Sequence, residues 1–82
     1  MDRDALFAEI ADFMATTFDL RRESITPDAD LAKELNLDSI DAVDLMVKLQ
    51  SILGRKISPD EFKSVRTIGD VLDLAQKIHD ES

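Results

Sequence analysis

The chain contains no cysteine, which excludes disulfides, thiolate nucleophiles and cysteine-ligated metals and leaves the fold to rest on packing alone. Histidine is nearly as scarce, with His79 the single example. A serine hydrolase needs a base beside its nucleophile and often a Gly-x-Ser-x-Gly elbow. The sequence has no such elbow, and His79 sits near the end of a predicted helix, where it suits the negative end of the helix dipole. No apolar run approaches the roughly 20 residues of a membrane span, and Met1-Asp2-Arg3-Asp4 lacks the basic-then-apolar order of a signal peptide. A cytoplasmic protein without membrane insertion is expected. Bases are also in deficit: 10 Lys and Arg against 18 Asp and Glu, a net charge of −8. The whole imbalance lies in residues 1–47, with 12 acids and 4 bases, whereas residues 48–82 hold 6 of each. Such a field repels phosphate backbones, so no nucleic-acid binding is expected, and it favours partners that present Lys or Arg. The same acids would also keep a small domain soluble.

What is present is helical spacing. At 82 residues the chain is read as one domain spanning 1–82, with a thin core and little room for a deep catalytic cleft. Leu6, Phe7, Ile10, Phe13, Met14 and Phe18 recur at intervals of three and four, which predicts a helix over about 3–17 with three of the four phenylalanines facing inward. Residues 19–38 show no sustained periodicity and carry the turn chemistry of Thr26-Pro27-Asp28, a long loop expected to be pinned at Ile25, Leu31, Leu35 and Leu37. A second helix is expected over 39–53, stopped by Gly54, the residue best suited to a left-handed cap. Ser58-Pro59-Asp60-Glu61 is an N-cap, a first-turn proline and a capping-box acid, predicting a short third helix near 59–64. A last helix starts after Thr67, with Ile68, Val71, Leu72, Leu74, Ala75 and Ile78 inward, and runs to about 80. The fold class is therefore all-α, a small bundle of three longer helices and one short one.

The second helix has too much apolar surface. Ile40, Ala42, Val43, Leu45, Met46, Val47, Leu49, Ile52 and Leu53 leave only Asp41, Asp44, Lys48 and Ser51 as a polar stripe. A domain this small can hardly bury a helix on every side, so Ile40, Val43 and Val47 are expected to be partly exposed for contact with something else. Ser39 stands at the head of this helix. Either Asp38 or Ser39 could cap it, with Asp41 adding to the favourable interaction with the dipole. The same helix end would also tolerate a phosphodiester on the Ser39 hydroxyl. Asp28-x-Asp30 has the opening spacing of a calcium loop, but Ala32 stands at the third ligand position and Lys33 where glycine is needed. No metal site is expected.

The segment from Asp28-x-x-Leu31 through Glu34-Leu35 to Asp38-Ser39-Ile40-Asp41-Ala42-Val43-Asp44-Leu45 resembles the prosthetic-group site of bacterial acyl carrier proteins. With the four predicted helices around it, the resemblance covers about Leu6 to Ile78. It implies a monomeric carrier and no enzyme: Ser39 would hold 4′-phosphopantetheine, transferred from coenzyme A by a Mg²⁺-dependent phosphopantetheinyl transferase. The arm would carry acyl groups as thioesters for fatty-acid, polyketide or related lipid synthesis. It further implies docking through Asp38, Asp41 and Asp44, flanked by Ile40, Val43 and Val47, onto acyltransferases, ketosynthases and other acyl-processing enzymes with basic patches. Three features depart from the common pattern. Asn36 replaces a frequent glycine, and asparagine tolerates left-handed backbone; Ile40 replaces a common leucine. Lys48, Arg55, Lys56, Lys63 and Arg66 turn the later half of the expected docking surface neutral to basic, which points to a specialised carrier. An unmodified acidic interaction domain is the alternative from another class; among carriers, a D-alanyl or peptidyl type is the alternative, the latter disfavoured by the lack of a Gly-Gly-His-Ser-like site.

Overall fold

A computed structural model describes residues 2–81, so the two ends of the expected 1–82 domain lie outside the described residues. Four α-helices follow in order: α1 (Arg3–Thr17), α2 (Ser39–Leu53), α3 (Pro59–Phe62) and α4 (Ile68–Glu81). No strand occurs among the described residues, only one isolated antiparallel pairing of Asp30 with Thr67. Local sequence explains each helix end. Asp2 caps α1 by accepting the Asp4 N–H at 3.0 Å. At the other end Phe18 N–H donates to the Met14 carbonyl and Leu20 N–H to Ala15, with Asp19 left-handed at φ 55°. This is the paired bonding that closes a helix through a residue of positive φ. Gly54 does the same job for α2 at φ 69°. In α3 the predicted capping box of Ser58 and Glu61 forms, but the helix ends at Phe62, short of the expected residue 64, because the chain must turn there to reach α4.

The core is aliphatic. Leu6, Ile10 and Met14 of α1 meet Leu45 and Leu49 of α2 and Ile68, Val71, Leu72, Ala75 and Ile78 of α4, all buried. Each of these side chains larger than alanine contributes about 1.5–3 kcal/mol relative to exposure, and no polar side chain is buried among the described residues. The phenylalanines face inward as the spacing predicts but stop short of the centre of this core. Phe7, Phe13 and Phe18 are half-buried at its margin, since a bundle this thin has room for branched aliphatics at the centre and places rings along the seams. Phe13 and Phe18 meet edge to face at 6.0 Å. Arg22 lies over Phe7 at 5.3 Å and Lys48 over Phe13 at 5.6 Å, geometry in which the cation meets the ring's negative face.

The long loop is held more firmly than its composition suggests. Ile25, Ala29, Leu31 and Leu35 are buried, and its backbone is zipped to the start of α4. Leu31 N–H donates to the Arg66 carbonyl at 2.8 Å, Ile68 N–H to Ala29 at 3.2 Å and Gly69 N–H to Pro27 at 2.8 Å. Two of these donors belong to the first turn of α4, where amides have no partner within the helix. The remaining first-turn groups are satisfied locally: Thr67 Oγ1 accepts the Asp70 N–H, while Asp70 Oδ2 accepts those of Arg66 and Thr67. A side chain at Gly69 would bring its Cβ within 3.1 Å of the Pro27 oxygen, so the close approach of loop and helix uses the absence of a side chain there.

Candidate functional site

The loop delivers the chain to α2 through a closed turn. Asp30 Oδ1 accepts the N–H groups of Ala32 and Lys33, Leu37 N–H returns to the Leu31 carbonyl at 2.9 Å, and Asn36 is left-handed at φ 56°. Asparagine, whose short polar side chain tolerates that region, makes the turn without glycine. Asp38 then caps α2: its Oδ1 accepts the Asp41 N–H at 2.9 Å, and Asp41 Oδ2 accepts the Asp38 N–H at 3.3 Å. The two candidate caps are thereby resolved. Asp38 is the cap, and Ser39 is the first residue of the helix.

This assignment leaves the serine free. Ser39 is exposed, and neither its hydroxyl nor its backbone N–H, nor the N–H of Ile40, has a hydrogen-bond partner among the described residues. One exposed hydroxyl therefore stands beside two unused amides at the positive end of a fifteen-residue helix, a place suited to an anionic ester on that oxygen. Ser39 also lies on the rim of an open groove of about 840 Å³ between α2, α3 and the loop. Its apolar lining includes Leu31, Leu37, Ala42, Val43, Met46 and Phe62.

The other expected site residues divide by what they touch. Ile40, Val43 and Val47 are 72%, 52% and 53% exposed, the large apolar side chains left outside the core among the described residues. Their spacing of three and four places them on one face of α2. Asp44 is exposed on the same helix with no ion pair among the described residues. Asp38 and Asp41, by contrast, are engaged in the capping box, and Asp41 is half-buried. Lys48 is misplaced by the sequence reading. Its side chain is 29% exposed, pairs with Glu9 at 3.8 Å and lies on Phe13, so it fastens α2 to α1 and does not belong to the exposed apolar face. His79 is exposed near the end of α4. Among the described residues no group of three or more His, Asp or Glu is placed to hold a metal ion, and no helix is long and apolar enough to cross a membrane.

Sequence reasoning could not name the lining of the groove, nor the convergence of Lys33, Lys63 and Arg66 on its rim. These three come from a loop and from both sides of the turn after α3, and no local spacing relates them. The loop zipper that brings Lys33 toward Arg66 is the missing information. The carboxyl of Asp70, near Arg66, is held below the usual carboxylate range, chiefly by the Arg66 backbone N–H and then by that of Thr67.

Known proteins resemble this chain in sequence and in fold. The family described as "Phosphopantetheine attachment site" matches residues 8–75. Acyl carrier protein 2 of Ralstonia nicotianae is 46% identical over 78 residues, covering 95% of this chain and 96% of that protein. The acyl carrier protein of Coprothermobacter proteolyticus is 33% identical over 76 residues, with 93% of each chain covered. Among solved structures, the acyl carrier protein of Thermotoga maritima superposes with a TM-score of 0.84 at 26% identity, over 99% of this chain and 94% of that one.

Proposed function

Because this chain belongs to the acyl carrier protein family, whose prosthetic group is 4′-phosphopantetheine, we propose that Ser39 is its attachment point and that the protein delivers acyl groups between enzymes. When bound, the arm supplies a thiol for thioester linkage, the sulfur chemistry that a cysteine-free chain lacks. The observation that carries the assignment is the division of labour at the head of α2. Asp38 takes the capping role that a serine in this position often fills, so the Ser39 hydroxyl is exposed and unbonded. Modification would then cost the helix no cap. The free N–H groups of Ser39 and Ile40 would face the negative charge of the phosphodiester, where the dipole favours it.

Docking is assigned to the exposed face beside the serine. Ile40, Val43 and Val47 offer an apolar contact, and Asp44, with the carboxylates of Asp38 and Asp41 behind it, offers charge to the basic patches of a phosphopantetheinyl transferase, acyltransferases and ketosynthases. Rim charges of this kind chiefly set encounter rate and orientation, which suits brief successive binding. The test is intact mass after incubation of the apo-protein with coenzyme A, Mg²⁺ and a broad-specificity phosphopantetheinyl transferase. The wild type gains one arm and Ser39→Ala gains none. A wild type that several such transferases leave unmodified, or a Ser39→Ala variant that is still labelled, contradicts the assignment.

A further inference from the structure

The bases of this chain are unevenly paired. Arg3, Arg21, Arg22, Lys48 and Arg55 each form an ion pair. Among the described residues Lys33, Lys56, Lys63, Arg66 and Lys77 form none, although acids outnumber bases 18 to 10. Three of these five, Lys33, Lys63 and Arg66, line the groove that begins at Ser39. Three acids line it too. The carboxylate of Asp30 accepts two backbone N–H groups and that of Asp38 accepts the Asp41 N–H, leaving Asp60 as the lining acid without a side-chain bond among the described residues. Arg66 is also felt by Asp70, whose carboxylate is occupied by backbone donors. A groove with an apolar floor and unpaired cations at its edge thus opens beside the serine of a strongly acidic protein.

Resting on the attachment of an arm at Ser39, we propose that this groove receives acyl cargo bearing a distal anionic group, a carboxylate in the simplest case, with the chain on Leu37, Ala42, Val43 and Met46 and the anion among Lys33, Lys63 and Arg66. A neutral alkyl chain would use the floor and leave the cations idle. Exposed ion pairs are individually weak, but tethering converts their formation into an intramolecular event at an effective concentration of about a millimolar or more. The contact does not need high intrinsic affinity. Guanidinium and ammonium groups suit the task differently: Arg66 can engage a carboxylate through two parallel N–H donors, while the two lysines act as point charges. The phosphodiester near Ser39 is common to every acylated form, so it cannot produce a difference between cargoes.

The experiment loads ¹⁵N-labelled apo-protein enzymatically from adipoyl-coenzyme A and from hexanoyl-coenzyme A, which give acyl chains of equal length with and without a terminal carboxylate. Intact mass confirms loading, and amide spectra are compared. The adipoyl form is expected to displace the amide signals around Lys33, Lys63 and Arg66 beyond their positions in the hexanoyl form. The extra displacement should shrink at about 0.5 M salt, where screening is short-ranged, and vanish in the Lys33→Gln, Lys63→Gln, Arg66→Gln triple variant, whose hexanoyl spectrum elsewhere stays close to wild type. Loading with identical adipoyl and hexanoyl spectra at these positions overturns the cargo assignment and leaves Ser39 attachment standing, as does a difference that survives in the triple variant. Failure to load at all overturns both.

Discussion

Replacing Asp38 and Ser39 separately by alanine separates the two roles assigned to the head of α2. The Asp38 carboxylate accepts the Asp41 N–H at 2.9 Å, and the box is closed by Asp41 at 3.3 Å. Loss of an N-cap acid costs about 1 kcal/mol, up to about 2, and part of this reflects a favourable charge near the helix N-terminus, worth about 0.3–1 kcal/mol. Asp38→Ala should therefore destabilise the apo-protein by about 1–2 kcal/mol. For a domain of this size each kcal/mol moves Tm by about 4–8 °C, so a fall of roughly 5–15 °C is expected. Ser39→Ala removes a hydroxyl that bonds nothing among the described residues and installs a better helix former, a change of about 0.5 kcal/mol or less in either direction. Asp38→Asn keeps an acceptor and should lie between. Thermal melts of the apo-proteins by circular dichroism at low and moderate salt measure all three. If Ser39→Ala proves as damaging as Asp38→Ala, the serine is the cap and the separation of roles is wrong.

Further outcomes follow from the same geometry. Asp44→Lys should slow loading by a phosphopantetheinyl transferase several-fold at low salt while leaving Tm almost unchanged, because Asp44 is exposed and outside the capping box; equal loading rates would remove it from the docking surface. Asp41→Lys should instead lower Tm as well, since it breaks the box. Gly54→Ala places a Cβ at φ 69° and should cost about 1 kcal/mol in denaturant unfolding, with no steric contribution because nothing lies within 4 Å of that Cβ. Asp70 has its pKa lowered in the folded state, so its contribution is fully present above the ordinary aspartate pKa of about 3.9 and is lost as pH falls through the lower folded value. Asp70→Asn should accordingly be less stable than wild type near neutrality, with the gap closing in acid; a gap that stays constant down to about pH 2 would refute the linkage.

Much of this molecule is written locally. Gly54 ends α2, Ser58 and Glu61 start α3, and the exposure of Ile40, Val43 and Val47 follows from a helix with more apolar side chains than a small bundle can cover. The left-handed Asn36 is legible for the same reason, as a property of one residue. What sequence could not supply depends on which segments meet. The pairing of Pro27, Ala29 and Leu31 with the start of α4 has no signature in either segment, yet it seats the loop and assembles the groove. Lys48 reads as part of a polar stripe until α1 is placed beside it, when Glu9 and Phe13 claim it. For the phenylalanines periodicity gives the inward side of the helix, where they lie, and says little about depth. In a core centred on Ile10, Met14, Leu45 and Leu49, rings fit at the edge.

The central claim is that one serine among six, distinguished by a capping neighbour that frees its hydroxyl, holds the prosthetic group. Peptide mapping by tandem mass spectrometry of the enzymatically loaded protein tests it most directly. The added mass is expected on Ser39 alone, with Ser24, Ser51, Ser58, Ser64 and Ser82 unmodified. Modification of any of those five in place of Ser39 would contradict the account.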